Sequence, residues 1–133
     1  MRILLDTHVL LWAAAAPDRL GSSRRDIVNA ERRLLSAAST WELAIKQGLG
    51  KLDLGTSVRS WVDSAVKELH LDQLSITGQH AAAVEQLPPL HRDPFDRLLI
   101  AQARSEGALL LTADRGLLGY GDVVRLVGGD RPG

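Results

Sequence analysis

The chain of 133 residues has no cysteine, no excess of charge and no long apolar run. Without cysteine, it can form no disulfide, no thiolate zinc site and no cysteine nucleophile, and it suits a reducing compartment. No window reaches the roughly 20 apolar residues that a membrane span requires. No charged leader precedes a long apolar run, as it would in a signal peptide. We therefore expect a soluble, cytoplasmic protein.

Sixteen Lys and Arg side chains balance sixteen Asp and Glu side chains, so the net charge is zero. A neutral chain has no global attraction to nucleic acid, but it can still carry a local basic rim around an acidic pocket. Apolar residues make up 45% of the chain, which is enough to bury a core in one domain of this length. Composition by itself leaves the function open.

Apolar runs of strand length alternate along the chain with stretches of helical periodicity. Strands are predicted at residues 2–5, 33–37, 73–76, 108–112 and 122–127. Helices are predicted at residues 7–15, 23–31, 40–47, 57–69, 77–86 and 94–106. This alternation favours an α/β fold with a parallel sheet covered on both faces. Residues 1–127 are expected to form a single domain, and the polar, glycine-rich tail 128–133 is expected to be frayed.

Four acidic residues lie where strands end or helices begin in this pattern. Asp6 follows the first predicted strand, and Asp114 follows the fourth. Asp96 and Glu42 are each predicted in the first turn of a helix. Because the carboxyl ends of parallel strands share one edge of a sheet, where ligands bind at the switch point, we expect the four acids to be neighbours.

Each acid also has a simpler structural interpretation. An aspartate between a strand and a helix is often only an N-cap, which applies to Asp6 and Asp114. An acid in the first turn of a helix interacts favourably with the helix dipole, which applies to Asp96. Glu42 can pair with Lys46 at the i,i+4 spacing. Taken singly, none of these residues distinguishes a catalytic site from ordinary helix stabilisation.

The expected helix caps help to separate the two interpretations. Asp93 precedes a proline, so it fits the N-cap of the helix that begins at residue 94. With Asp93 as the cap, Asp96 remains free to act as a ligand. Ser39 or Thr40 is expected to cap the helix that carries Glu42.

Carboxylates that crowd together repel one another unless a cation lies among them. Mg²⁺, with Mn²⁺ as a substitute, takes oxygen ligands of this kind, and such an ion can activate water and clamp a phosphate during in-line displacement. The acids therefore indicate metal-assisted hydrolysis of a phosphodiester. The four histidines lack ligand spacing, so no histidine metal site is expected. His91, near the turn at residues 93–96, is the histidine that could line the pocket.

Four sequence motifs, in order, carry a family resemblance. They read LLDTH at residues 4–8, SAASTWELAIK at 36–46, HRDPFDRLLIAQA at 91–103 and LTAD at 111–114. Each motif is weak alone, but the four at these intervals closely resemble VapC-type toxins of the PIN-domain family. The resemblance extends from residue 3 to about residue 127.

The resemblance implies a PIN-like (Rossmann-like) α/β/α sandwich and a metal-dependent endoribonuclease. It places the family's acidic quartet, which would bind one or two Mg²⁺ or Mn²⁺ ions, on Asp6, Glu42, Asp96 and Asp114. It places a polar residue that orients a carboxylate or water on Thr112. It also implies an RNA substrate, a transfer RNA by family habit, together with a homodimer and a VapB-type antitoxin that lays a segment, often with an arginine, into the acidic groove.

Two supporting residues and two rival functions remain open. Arg97 either contacts substrate phosphate or pairs with a neighbouring carboxylate, and Asp93 could be an auxiliary metal ligand. The first rival function is a catalytically silent protein- or RNA-binding module on the same fold. The second is a receiver-like phosphoacceptor domain, which would need a second acid beside Asp6 and a lysine after a late strand; the sequence has neither.

Overall fold

Within residues 1–128, which the computed structural model describes, five parallel strands form one sheet. The strands are β1 (Arg2–Leu5), β2 (Arg32–Ser36), β3 (Asp72–Leu74), β4 (Ala108–Thr112) and β5 (Val124–Leu126). The helices are α1 (Thr7–Ala15), α2 (Ser23–Asn29), α3 (Ala37–Gly48), α4 (Val58–Leu69), α5 (Gly78–Ala83) and α6 (Pro94–Glu106), with short 3-10 helices at Pro17–Leu20, Val84–Gln86 and Arg115–Tyr120. The predicted α/β class is confirmed. Residues 129–133 of the tail predicted to fray lie outside the described residues.

The strand order β3-β2-β1-β4-β5 creates a switch point in the middle of the sheet. The chain builds outward from β1 through β2 to β3, then returns to place β4 on the other side of β1. Leu5 and Leu111 are partners in register, and the backbone N–H of Asp6 donates to the Leu111 carbonyl at 3.1 Å. The residues that follow Leu5 and Leu111 therefore emerge side by side, where sheets of this type bind ligands.

Separate apolar clusters cover the two faces of the sheet. On β1, Ile3 and Leu5 pack into one cluster and Leu4 packs into the other, each with no exposed surface. Residues of α1 and α4 belong to the first cluster, and residues of α6 belong to the second. Burial on both faces explains why the strands appear in the sequence as continuous apolar runs. No helix among the described residues is long and apolar enough to cross a bilayer.

The start of α3 differs from the prediction. The helix begins at Ala37, and its N-cap is Ser36, whose side chain accepts from the Ala38 N–H at 3.0 Å. The predicted cap at Ser39 or Thr40 is therefore wrong, because Ser39 is buried and contacts Thr7 instead. Because α3 begins directly after β2, Glu42 lies in the second helical turn, whereas the prediction put it in the first.

Other boundaries shift for local reasons. The second strand is Arg32–Ser36, one residue earlier than predicted, and α2 ends at Asn29 rather than at residue 31. The Glu31 N–H donates to the carbonyl of Met1, directly before β1, and is therefore not available for a helical hydrogen bond. The helix ends before this residue. The helix predicted at 77–86 tightens to a 3-10 turn at Val84–Gln86, because Leu87 precedes a proline and is extended.

Candidate metal centre at the switch point

The four predicted acids line one pocket of about 420 Å³ at the ends of β1 and β4. They are Asp6, Glu42, Asp96 and Asp114. The pocket is also lined by Thr7, His8, Trp12, Lys46, His91, Asp93 and Ala113. Four acids separated by up to 108 positions in the sequence therefore share one concave surface, as the topology of the sheet predicts.

Asp6 lies at the base of the pocket and is 6% exposed. Its Oδ1 accepts from the Val9 N–H at 2.9 Å, so the predicted N-cap interpretation is confirmed. Its Oδ2 accepts from the Thr112 hydroxyl. Burial is the main cause that raises the pKa of Asp6, and these two hydrogen bonds oppose it. Capping and pocket lining therefore coexist in one residue.

Thr112 connects two of the acids from behind the pocket. It is fully buried at the end of β4. Its Oγ1 donates to Asp6 and accepts from the Asp114 N–H at 3.1 Å. A single hydroxyl thus orients one carboxylate and fixes the backbone that carries another.

Asp96 projects from the first turn of α6. Asp93 is the N-cap of this helix, since its Oδ1 accepts from the N–H groups of Phe95 and Asp96 at 2.8 and 3.4 Å. The pKa of Asp96 is raised to about 7, mainly by desolvation and in smaller part by the nearby charges of Asp93 and Asp6. The prediction that Asp93 caps the helix is confirmed, and Asp93 still lines the pocket.

Glu42 reaches the pocket from α3 and is held by two polar neighbours. Its Oε1 accepts from the Thr7 hydroxyl at 2.7 Å, and its Oε2 lies 2.8 Å from the Lys46 Nζ. The predicted pairing with Lys46 is confirmed. Thr7 is a residue that sequence reasoning missed, although a hydroxyl directly after Asp6 at a helix start was an available signal.

Asp114 is the most exposed of the four acids, with 44% of its side chain accessible. Its Oδ1 accepts from the Gly116 N–H at 2.8 Å, which caps the 3-10 helix that follows. Its Oδ2 lies 3.0 Å from His91 Nε2. Ligand atoms of His91, Asp96 and Asp114 all lie within 4.8 Å of one another. His91 therefore lines the pocket as expected, brought there by the fold and not by ligand spacing.

The guanidinium of Arg97 is held by backbone carbonyl groups. Its Nη2 donates to the carbonyls of Val84 and Leu87 at 3.2 and 3.4 Å. Within residues 1–128 it forms neither the expected ion pair nor part of the pocket wall. Arg97 instead attaches α6 to the segment before Pro88, where carbonyl groups at a helix end need donors.

The donor set fits a hard divalent cation. The pocket offers several carboxylates, and two of them, Asp6 and Asp96, have raised pKa values because they are desolvated beside other acids. Divalent charge among these groups would favour their ionised forms. Oxygen ligands of this kind suit Mg²⁺ or Mn²⁺. The arrangement can therefore bind a metal and present it to an anionic substrate.

Comparisons with known proteins agree with this architecture. The sequence matches the PIN domain over residues 3–122. It is 35% identical over 117 residues to "Ribonuclease VapC22" of Mycobacterium tuberculosis (strain ATCC 25618 / H37Rv), an alignment that covers 86% of this chain and 88% of that protein. The fold is similar to those in crystal structures of DNA-bound VapBC from Salmonella typhimurium (TM-score 0.70, 19% identity, 95% and 96% coverage) and of VapBC2 from Rickettsia felis bound to a promoter DNA fragment (TM-score 0.68, 19% identity, 95% and 97% coverage).

Proposed function

This chain belongs to the PIN-domain family, and we propose that it is a Mg²⁺-dependent endoribonuclease toxin of the VapC type. The observation that carries the proposal is the meeting of Asp6, Glu42, Asp96 and Asp114 in one pocket at the switch point. A relative at 35% identity is named as a ribonuclease, which supports RNA as the substrate class. The retained acids favour catalysis over the silent binding module.

In this proposal Asp6, Asp96 and Asp114 hold the ion, and Glu42 is a further ligand, either directly or through water. Bound Mg²⁺ would supply an activated water and neutralise charge on the phosphate during in-line displacement. The Val9 N–H and the Thr112 hydroxyl orient Asp6. Burial and neighbouring acids raise the pKa of Asp96, and a bound cation would stabilise its ionised form.

Lys46 is the cation nearest to these acids that could meet the substrate. Its Nζ lies 2.8 Å from Glu42, and 39% of its side chain is exposed at the pocket wall. A lysine in this position can contact a phosphate oxygen and offset repulsion between RNA and the acids. Its pairing with Glu42 keeps it at the wall when RNA is absent.

The purified chain, freed of partner proteins, is expected to cut structured RNA in the presence of Mg²⁺ and to lose this activity in EDTA. Excess Mg²⁺ should restore it, because the carboxylates need a cation to act on phosphate. Cleavage is measured by gel electrophoresis of end-labelled RNA. An Asp96→Asn sample purified in the same way controls for contaminating nucleases. Cleavage that persists in EDTA, or no cleavage across a broad RNA panel, would reject the proposal, and the second result favours the silent binding module.

An exposed apolar patch beside the pocket supports a protein partner. We define it as the α3 patch: Trp41 and Ile45 on α3, Leu49 directly after α3, and Pro94 and Phe95 at the start of α6. Trp41, Ile45 and Leu49 are 58%, 38% and 65% exposed, and the Trp41 and Phe95 rings meet edge to face at 5.1 Å. A second cavity between α3 and α6 shares Glu42, Lys46 and Asp93 with the acidic pocket.

We assign the α3 patch to a VapB-type antitoxin. An apolar surface continuous with an acidic pocket is complementary to a segment with apolar anchors and a basic side chain. Two structures that share this fold, from Salmonella typhimurium and Rickettsia felis, are VapBC complexes, which supports a partner of that type. We expect a homodimer of this chain to form through another surface.

A Trp41→Ala variant is expected to bind its VapB-type antitoxin at least about tenfold more weakly, since exposed tryptophans are common interface anchors. Val28→Ala is the matched control, because Val28 is 64% exposed on α2, away from the patch. Affinity is measured by calorimetry on the refolded components. Unchanged affinity in Trp41→Ala would remove the patch from the antitoxin interface. If Trp41→Ala leaves antitoxin affinity unchanged but converts a dimer of the isolated protein into a monomer, the patch belongs to a homodimer interface.

A further inference from the structure

His91 is placed between two of the pocket acids by contacts that its position in the sequence does not reveal. It lies in the segment before α6, and 23% of its side chain is exposed. Its Nδ1 accepts from the backbone N–H of Asp93 at 3.2 Å. A nitrogen that accepts a hydrogen bond carries a lone pair, so in the neutral ring the proton lies on Nε2.

That proton points at Asp114. Nε2 lies 3.0 Å from Asp114 Oδ2, so His91 donates and the carboxylate accepts. The distance from Nδ1 to Asp96 Oδ2 is 3.8 Å, which is too long for a hydrogen bond. Both ring nitrogens are therefore occupied by the protein in this arrangement, and neither offers a free lone pair to a metal ion.

We propose that His91 is a positioning residue that holds Asp114 in its ligand orientation, which rests on the function proposed above. Asp114 needs such a partner because it is the most exposed of the four acids and its Oδ1 is already used to cap a 3-10 turn. The contact ties the segment before α6, which leads to Asp96, to the end of β4, which leads to Asp114. Residues that hydrogen-bond to a metal-binding carboxylate, without touching the metal, orient that carboxylate. Their mutation typically lowers metal affinity by about 10- to 100-fold.

Crowding around Asp114 supports the assignment. A Cβ added at Gly116 would lie 3.0 Å from Asp114 Oδ1 and 3.5 Å from His91 Cδ2. The carboxylate is thus confined between the turn at Gly116 and the imidazole. Removal of the imidazole would open one side of this confinement, and Asp114 Oδ2 would lose the hydrogen bond from Nε2.

The test compares Mn²⁺ binding by the wild-type chain, His91→Ala and His91→Gln, measured by electron paramagnetic resonance without RNA. His91→Ala is expected to bind Mn²⁺ about tenfold more weakly or worse. His91→Gln is expected to bind within about threefold of wild type, because the glutamine amide keeps a donor near the Nε2 position. His70→Asn is the control: His70 lies outside the pocket at the end of α4, where its positive φ suits asparagine.

A second readout needs no metal. Side-chain ¹H–¹⁵N spectra of the metal-free chain are expected to show His91 protonated on Nε2 and accepting on Nδ1. If His91→Ala binds Mn²⁺ as tightly as wild type, or if the proton lies on Nδ1, the role of His91 is overturned but the proposed metal site is not. Equal losses in His91→Ala and His91→Gln would also overturn this role and make His91 a direct ligand. If the wild-type chain binds no Mn²⁺, the proposed metal site itself fails, which is a different result.

Discussion

An Asp96→Asn variant is expected to cleave RNA on the order of 100- to 1,000-fold more slowly while folding more stably than the wild-type chain. The loss of cleavage follows because an amide is a poor ligand for Mg²⁺ and carries no charge. The gain in stability follows because Asp96 is desolvated among other acids, which raises its pKa to about 7. A neutral side chain of the same shape avoids that cost.

The gain in stability depends on pH in a defined direction. The folded metal-free chain keeps Asp96 protonated up to a pKa of about 7, whereas the unfolded chain releases this proton near the ordinary aspartate pKa of 3.8. The folded state therefore binds more protons between these values, and wild-type stability falls as pH rises through them. The advantage of Asp96→Asn should grow between pH 5 and pH 8 by on the order of 2 kcal/mol, or roughly 5 to 10 °C in Tm.

Thermal unfolding in EDTA at both pH values measures this difference, and Mg²⁺-dependent cleavage measures activity. Asp63→Asn is the matched control, since it makes the same change at an exposed position of α4 that does not line the pocket. Its cleavage and the pH dependence of its stability should match those of wild type. A fully active Asp96→Asn chain, or one whose stability shows no dependence on pH relative to wild type, would contradict the role given to Asp96.

Asp6→Asn and Asp6→Ala should both lose cleavage, by on the order of 100-fold or more, but should differ in stability. Asparagine can keep the hydrogen bond from the Val9 N–H, and the Thr112 hydroxyl can rotate to meet the amide. Alanine removes the N-cap and leaves the buried Thr112 hydroxyl without its acceptor. The alanine variant should therefore be less stable than the asparagine variant by about 2 to 3 kcal/mol.

Urea unfolding of the two variants, with circular dichroism as the probe, checks the order of stability. The asparagine variant serves as the control for folding, because it should retain the native spectrum while remaining inactive. An Asp6→Asn chain that cleaves RNA at the wild-type rate with metal still bound would count against the whole site. Equal stability of the two variants would show that the cap and the contact with Thr112 contribute little.

Local patterns predicted those parts of the fold that depend on neighbouring residues. The strand at Arg2–Leu5 and the helices at Thr7–Ala15 and Pro94–Glu106 have the predicted bounds. Asp93 caps the helix that begins at Pro94, as expected. These features follow from propensity and capping, which act over a few residues.

Where sequence reasoning failed, a contact from a distant element decided the outcome. Ser39 was free to cap a helix by local rules, but it packs against Thr7 from α1, so α3 starts earlier. Arg97 follows an acid, a position that predicts an ion pair with a carboxylate, yet its guanidinium donates to carbonyls before Pro88. In both cases a polar group, buried at Ser39 and partly buried at Arg97, took the partner that packing provided.

By itself the sequence determined the order of strands and helices and the placement of acids at their junctions, because apolar periodicity and capping are local properties. Only the tertiary structure decided which side chains from distant segments make direct hydrogen bonds. Thr112 reaches Asp6 across 106 positions, and His91 reaches Asp114 across 23. Partners at such separations are chosen by the packing of whole elements against the sheet, which no short segment encodes.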